Sequence, residues 1–200
     1  MGLSGQRAHT IFKQNGGILR ATEAVRLGIA PRTLYAMRDD GELRILSRGV
    51  YQLASTPMPA NPELVVLARR VPRAVVCLIS ALHFHHLTTQ VPHYLYVALP
   101  KGAPQPKLDY PILDVIRLSG RAMTSGVDVQ AVDGEQVRVF NVAKTVADCF
   151  RFRNKVGIDV AVEALREALR SRKATPAQIA EYAKINQVSN IIRPYIEALI

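Results

Sequence analysis

The sequence contains few of the features that characterise secreted or membrane-embedded proteins. Its only two cysteines, Cys77 and Cys149, lie 72 positions apart in apolar surroundings, so neither a disulfide framework nor a CxxC metal site is expected. No run of 18 apolar residues is present, and residues 1–6 do not combine a charged start with an apolar core. We therefore expect a cytoplasmic protein with reduced, buried thiols, without a membrane span or a signal peptide.

Acidic residues are also scarce relative to basic ones. The chain has 26 Lys and Arg but 16 Asp and Glu, which gives a net charge of +10. This excess favours a polyanionic partner, and without a membrane span we expect nucleic acid rather than a membrane surface. Residues 1–54 hold eight basic and four acidic side chains, so the positive charge per residue is higher there than in the remainder.

Prolines mark a change in organisation after residue 54. Pro57, Pro59 and Pro62 stand among small and polar residues, and neither a helix interior nor a central strand tolerates such a cluster. We predict an N-terminal domain of residues 1–54, a Pro-rich linker of residues 55–62 and a second domain of residues 63–200.

The first 54 residues show the periodicity and punctuation of three short helices. Apolar residues recur at helical spacing, and glycines stand where each stretch ends. The predicted helices cover residues 4–14, 22–27 and 31–40. Ala24, Val25 and Leu27 are expected to form the buried side of the second helix.

The third helix has the features of a recognition helix. It follows a short turn that contains Gly28, and Pro31 suits its first position because a proline there loses no needed hydrogen bond. Leu34 and Met37 are expected to point into the core. The side chains left for the outside, where such a helix meets base edges in the major groove, are Arg32, Thr33, Tyr35 and Arg38.

A strand, a tight turn and a second strand follow directly. Residues 42–46 and 50–53 read as strands, and the residues between them suit a short hairpin. A hairpin in this position is the wing of a winged helix-turn-helix, with Arg44, Ser47 and Arg48 as predicted DNA contacts. A helical bundle with a hairpin would show similar periodicity, and a winged helix that binds protein is a further alternative.

The second domain alternates strand and helix patterns before a helical end. Helices are predicted at residues 62–71 and late in 75–86, and strands at 94–99, 112–118, 127–132 and 136–142. Asp133-Gly134 is the best hairpin turn in the chain. Four further helices are predicted at residues 141–153, 157–172, 175–185 and 188–199. The predicted fold class is α+β, a winged helix-turn-helix followed by a mixed α+β domain that ends in a helical segment.

Two groups of polar residues are candidates for metal or catalytic chemistry. One comprises four histidines, His83, His85, His86 and His93. No Asp, Glu or Cys completes a metal site beside them, so we expect packing or surface histidines. Lys107, Asp109 and Asp114 match no nuclease spacing. We predict no catalytic residues, no metal and no cofactor, with a nucleic-acid-directed enzyme as the minor alternative.

Several short sequence motifs in both predicted domains resemble those of a known family. They are GILRATEA at residues 17–24, Gly28-Ile29, Leu34, GEL at 41–43, RGVY at 48–51, SALHFH at 80–85, LTTQVP at 87–92 and AKTVAD at 143–148. Together they resemble the AbiEi family, the antitoxins and autorepressors of type IV toxin–antitoxin systems. The resemblance spans most of the chain.

The resemblance implies a regulator that binds inverted repeats in its own promoter, represses its operon and counters a nucleotidyltransferase-like toxin, with or without a stable complex. A stand-alone regulator of the same architecture is the alternative. Lys144, Asp148, Arg151 and Arg153 form a candidate antitoxin surface, although Lys and Asp at this spacing also make a simple helix-stabilising pair. Either a monomer or a homodimer is compatible with inverted repeats, since two monomers can fill two half-sites.

Overall fold

The computed structural model describes residues 3–199. Met1 and Gly2, which belong to the segment expected to lack a signal peptide, and Ile200 lie outside the described residues. Eleven helices and eight strands form in residues 3–199, and the strands build two sheets, which confirms the predicted α+β class.

The chain divides into two compact units. The first contains the chain up to Pro72 together with two later segments, Pro106–Ile112 and Ala131–Gln136. The second contains Arg73–Gln105, Leu113–Gln130 and the chain from Val137 onward. The first unit is therefore built from three separate stretches of sequence.

The first unit begins with the elements of a winged helix-turn-helix. They are α1 (Leu3–Gln14), β1 (Ile18–Arg20), α2 (Ala21–Arg26), α3 (Pro31–Asp39), β2 (Leu43–Ser47) and β3 (Val50–Leu53). Strand β3 lies between β1 and β2 and pairs antiparallel with both. The three predicted helices and the wing are confirmed, and β1 is an addition to the predicted elements.

Helices and sheet share one core in this part of the unit. Its buried side chains include Ala8, Phe12, Leu19, Ala24, Leu34, Met37 and Leu53. The expected buried side of the second helix is right for Ala24 alone, because Val25 and Leu27 are 46% and 43% exposed. Helix α2 has only six residues, so it makes fewer than about two turns and directs one side chain fully inward.

A further helix, α4 (Pro62–Arg70), packs on the sheet of the winged helix. Val65 and Val66 of α4 are fully buried and join the sheet residues Ile18, Leu46 and Val50 in one cluster. Complete burial of a valine side chain stabilises a protein by about 1.5–3 kcal/mol relative to exposure. These two valines therefore hold α4 firmly on the sheet.

The proline-rich segment between β3 and α4 is hydrogen-bonded to the winged helix. The side-chain amide of Gln52 donates to the carbonyl oxygen of Pro57 at 2.7 Å, and the Thr56 hydroxyl donates to the carbonyl of Leu53 at 2.7 Å. The first unit consequently continues to Pro72 rather than ending at the prolines. The division into functional domains at residues 54–62 stays a prediction.

The second unit contains most of a mixed sheet and the C-terminal helices. In chain order the remaining elements are β4 (Val75–Val76), α5 (Leu78–Phe84), β5 (Leu95–Pro100), β6 (Leu113–Leu118), α6 (Arg121–Thr124), β7 (Val127–Val132), β8 (Glu135–Phe140), α7 (Val142–Arg151), α8 (Arg153–Val156), α9 (Ile158–Arg170), α10 (Pro176–Ile185) and α11 (Ser189–Glu197). The strand order is β6-β5-β4-β8-β7, and β4 runs antiparallel to β5 but parallel to β8. The predicted mixed sheet and helical end are confirmed.

Two local features of this part of the chain follow from its sequence. Asp133 and Gly134 connect β7 to β8 with φ values of +48° and +82°, so the predicted hairpin turn is confirmed. Helix α7 packs against α5, α9, α10 and α11, and all its residues from Ala143 to Phe150 are buried. Helix α7 is therefore the centre of the second unit.

Gly126 allows a close approach to α7, and its replacement should destabilise the protein. Its φ is +72°, and a Cβ added there would lie 2.9 Å from Cβ of Lys144 and 3.0 Å from Cε1 of Tyr182. We expect Gly126→Ala to lower the free energy of unfolding by more than the roughly 1–2 kcal/mol that a left-handed backbone costs a residue with a Cβ. Thermal unfolding followed by circular dichroism measures this effect.

Gly102→Ala is the matched control. Gly102 has a φ of +93°, but an added Cβ would meet no atom within 4 Å. This variant should show the backbone cost alone, so its melting temperature should fall less than that of Gly126→Ala. Equal losses in the two variants would contradict the steric role of Gly126.

Candidate nucleic-acid interface

The candidate interface begins with the outward face of α3. Leu34 and Met37 are 2% and 3% exposed, and the helix packs against α1, α2 and β2. The predicted inward side of α3 is thus confirmed. The four side chains predicted to face outward all keep accessible surface: Arg32, Thr33, Tyr35 and Arg38.

Charge is unevenly distributed along α3. At its C-terminal end, Arg38 pairs with Asp39 at 2.6 Å and lies 5.3 Å from the centre of the Tyr35 ring. The hydrogen bond to Asp39 raises the pKa of Arg38, and Asp40 adds a second carboxylate at this end. Arg32, at the N-terminal end, is exposed and has no ion pair with the residues that the structure describes. Uncompensated positive charge therefore lies at the N-terminal end of α3.

The two arginines of the wing are both exposed. The Arg44 guanidinium donates to the carbonyl oxygens of Ala54 at 2.6 Å and Thr56 at 3.4 Å. Carbonyl groups do not neutralise its charge, so Arg44 still contributes positive potential beside β2. Arg48 stands in the turn between β2 and β3, where its side chain is exposed.

Ser47 is not a surface residue, which corrects its predicted role as a DNA contact. It is 3% exposed, and its hydroxyl donates to Oδ1 of Asp109 at 2.7 Å. The strand pairing is irregular between Ile45 and Ser47, consistent with a β-bulge. A bulge breaks the alternation of side chains, so Ser47 follows buried Leu46 toward the interior instead of pointing outward.

An ion-pair network joins α2, α4 and β8. Arg69 contacts the Glu23 carboxylate at 3.2 Å and the Glu135 carboxylate at 2.6 Å. Glu23 also accepts a hydrogen bond from the backbone N–H of Arg20 at 2.9 Å, which places the carboxylate at the start of α2. The sequence gives no signal for this network, because Arg69 is 46 positions from Glu23 and 66 positions from Glu135.

Lys144 and Asp148, two members of the predicted antitoxin surface, are buried in the second unit. They are 0% and 1% exposed, so the prediction is wrong for both. The Lys144 ammonium donates to Oδ1 of Asp148, and Asn186 Nδ2 donates to the same oxygen at 2.7 Å. Lys144 also lies 4.3 Å from the centre of the Phe140 ring. The pair belongs to the interior of the unit.

Burial opposes the charges of this pair. Loss of solvent raises the pKa of Asp148 above its ordinary value, although Lys144 and Asn186 act in the opposite direction. The same effect lowers the pKa of Lys144, although Asp148 stabilises its ammonium form. Each group therefore depends on the other to remain charged.

Arg151 and Arg153, the other two members of the predicted surface, retain accessible surface. Arg151 is exposed, with its guanidinium 5.5 Å from the centre of the Phe152 ring. Arg153 is partly buried and donates to the carbonyl oxygen of Phe150 at 3.1 Å. Their role in antitoxin action stays a prediction.

Three of the candidate metal or catalytic residues, His85, Asp109 and Asp114, have structural partners. His85 is hydrogen-bonded to the carbonyl of Phe140 at 2.7 Å, and burial lowers its pKa. Asp109 contacts the wing, and Asp114 pairs with Lys155 at 2.8 Å. Residues 3–199 contain no cluster of three His, Cys, Asp or Glu side chains that could hold a metal ion.

Two further findings concern the cysteines and the possibility of a membrane span. Cys77 and Cys149 are free and buried, and burial raises the pKa of both thiols. Among the described residues, no helix has both the length and the apolar character needed to cross a bilayer.

Comparison with known proteins identifies the N-terminal segment. Residues 6–54 match the family model described as "Transcriptional regulator, AbiEi antitoxin". These residues, the AbiEi segment, are therefore similar to the AbiEi family. The AbiEi segment covers α2, α3 and the wing, so the predicted resemblance is confirmed there. The motifs at residues 80–85, 87–92 and 143–148 lie outside the match, and their resemblance stays a prediction.

A structural neighbour supports the whole fold. The crystal structure of the RV2827C protein from Mycobacterium tuberculosis matches with a TM-score of 0.59. The match covers 100% of this chain and 81% of that chain, with 14% sequence identity. At this identity the likeness shows a shared fold alone. No curated protein matches the chain.

Breaking the buried pair of the second unit should cost more than breaking a surface pair. We expect Lys144→Met and Asp148→Asn, each alone, to destabilise the protein by about 3–5 kcal/mol, since each leaves an uncompensated buried charge. The double variant should be more stable than Lys144→Met alone, because no charge then remains. Unfolding at pH 7 measures all three.

The exposed pair of Arg193 and Glu197 provides the comparison. It also has the i, i+4 spacing, but its side chains are 74% and 64% exposed. Arg193→Met should leave the melting temperature nearly unchanged, because solvent screens such pairs. A loss in Lys144→Met no larger than this would show that the buried pair acts as an ordinary helix contact.

Proposed function

We propose that the protein is a DNA-binding transcriptional repressor of its own operon and the antitoxin of a type IV toxin–antitoxin system. The observation that carries the DNA-binding part is the exposed outward face of α3 beside the arginines of the wing, within the AbiEi segment. The proposal has the protein act in the cytoplasm without a cofactor, as a monomer or homodimer on inverted repeats.

In the proposed complex, α3 enters the major groove by its N-terminal end. Arg32 has no internal ion pair among the described residues and can donate two hydrogen bonds to guanine O6 and N7. Thr33 and Tyr35 suit contacts with a thymine methyl or a phosphate. Arg38 is partly compensated by Asp39, so we assign it to the phosphate backbone.

The wing supplies the flanking contacts. Arg44 and Arg48 are exposed and carry charges that no described carboxylate neutralises by an ion pair. Such residues contact phosphates or the minor groove beside the recognition helix. They add affinity without adding base preference, in contrast to Arg32.

The second unit is the proposed antitoxin part, acting against a nucleotidyltransferase-like toxin. The match of residues 6–54 to the AbiEi family model supports this role, and Arg151 and Arg153 remain its candidate surface. A stand-alone regulator would have the same DNA contacts but no effect on such a toxin. The proposal assigns no reaction to the protein.

Fluorescence anisotropy with the DNA upstream of the gene tests the first part. Arg32→Ala should weaken operator binding by about 1–3 kcal/mol and relax base preference, because a bidentate base contact is lost. Arg48→Ala should weaken binding to operator and unrelated DNA alike and should reduce the salt dependence by about one phosphate contact.

Arg166→Ala is the charge-matched control for these variants. Arg166 is an exposed arginine of α9 in the second unit. Its replacement removes the same charge but should leave base preference unchanged. If the unmodified protein binds no DNA even at low salt, the proposed function is rejected.

Co-expression tests the antitoxin part separately. Production of a nucleotidyltransferase-like protein encoded beside the gene should arrest growth, and this protein should restore it. The double variant Arg32→Ala/Arg48→Ala should also restore growth from an unrelated promoter, because the antitoxin role is assigned to the second unit. Absence of rescue by the unmodified protein would favour the stand-alone regulator.

A further inference from the structure

The tip of the wing is held on one side by a carboxylate from a distant part of the chain. Asp109 belongs to the segment Pro106–Ile112 of the first unit. Its Oδ1 accepts a hydrogen bond from the Ser47 hydroxyl at 2.7 Å, and the backbone N–H of Arg48 lies 3.2 and 3.1 Å from its two oxygens. Asp109 thus contacts the last residue of β2 and the first residue of the turn.

A guanidinium holds the same turn through the opposite backbone group. Arg70, the last residue of α4, donates to the carbonyl oxygen of Arg48 and, at 3.2 Å, to the carbonyl oxygen of Lys107. The Gly49 carbonyl accepts from the backbone N–H of Ala21 at 2.9 Å. Both backbone polar groups of Arg48 therefore have protein partners, and its exposed side chain projects from a fixed turn.

The contacts of Asp109 affect DNA binding in two opposite ways, one through charge and one through the order of the turn. A carboxylate beside a phosphate-binding arginine repels the phosphate, so through charge alone Asp109 opposes DNA binding. A turn that is already ordered loses less conformational freedom on binding than a mobile one. The sign of the effect of removing Asp109 therefore reveals which consequence dominates.

We propose that Asp109 and Arg70 are positioning residues for DNA binding, which fix the tip of the wing so that Arg48 is presented to a phosphate. This inference rests on the proposed function. It makes Pro106–Ile112 and the end of α4 part of the DNA-binding module, although both lie outside the AbiEi segment at residues 6–54.

The protonation state of Asp109 is consistent with this arrangement. The hydrogen bond from Ser47 and those from backbone N–H groups, including that of Arg48, hold the pKa of Asp109 below its ordinary value. Asp109 is therefore ionised at neutral pH and accepts these hydrogen bonds as a carboxylate.

Asp109→Ala and Asp128→Ala form a matched pair for the test. Each removes one carboxylate, but Asp128 is an exposed residue of β7 outside the wing. With the DNA upstream of the gene as probe, Asp109→Ala should weaken binding by about three- to ten-fold, the range expected for ordering a side chain and its turn. Asp128→Ala should leave binding unchanged or slightly tighter. Asp109→Asn, which keeps an acceptor, should recover part of the affinity.

A double-mutant cycle shows whether Asp109 acts through Arg48. In the Arg48→Ala background, Asp109→Ala should produce no further loss, because no arginine remains to be positioned. Arg70→Lys keeps the charge but cannot bridge two carbonyls with a planar fork, so it should weaken binding as Asp109→Ala does. Without DNA, amide hydrogen exchange at Arg48 should be faster in Asp109→Ala than in the unmodified protein or Asp128→Ala.

The outcomes separate this inference from the proposed function. If the unmodified protein binds DNA but Asp109→Ala binds as tightly as Asp128→Ala or more tightly, the positioning role is overturned and the proposed function stands. If the unmodified protein binds no DNA, both fail. Should Asp109→Ala fold poorly, Asp109→Asn and Arg70→Lys decide the matter, and normal affinity in both would overturn the inference.

Discussion

The burial of α4 on the three-stranded sheet is the contact on which the candidate interface depends. Val65 and Val66 are fully inaccessible and pack with Ile18, Leu46 and Val50. Because this apolar contact fixes the helix, the last two residues of α4 reach defined partners. Arg69 connects to Glu23 at the start of α2, and Arg70 connects to the backbone of the wing. One apolar contact therefore places supports for both the helix-turn-helix and the wing.

The arginines of the first unit serve two different purposes. Arg69 is compensated by two carboxylates, and Arg70 connects the wing to the segment Pro106–Ile112 through two carbonyl groups, so both hold segments together. Arg32 and Arg48 are exposed and have no ion pair among the described residues. Charges of the second kind release the most counterions when they meet phosphates. Net charge alone therefore overstates the number of arginines available to DNA.

Features encoded by neighbouring residues could be predicted from the sequence. Pro31, the inward spacing of Leu34 and Met37, and the Asp133-Gly134 turn act within a few positions, so α3 and the β7–β8 hairpin were predictable. The burial of Ser47 depends on an irregularity in the pairing of β2 with β3. No pattern of neighbouring residues predicts this irregularity.

The contacts that hold the wing in place could not be predicted from the sequence, for a different reason. The contacts that Asp109 and Arg70 make with Arg48 join residues 61 and 22 positions apart. No periodicity links such positions, and only the folded chain brings them together. Asp109 in particular carries no motif that separates a structural carboxylate from a catalytic one.

The buried pair of the second unit limits where an antitoxin surface can lie. The spacing of Lys144 and Asp148 correctly predicts a pair, but burial depends on the helices packed around α7. Within α7, Arg151 is the only exposed residue. A substitution at Lys144 or Asp148 therefore perturbs the stability of the unit whatever its effect on a toxin. Loss of antitoxin activity identifies a surface only when it arises from a residue such as Arg151, whose removal leaves the interior intact.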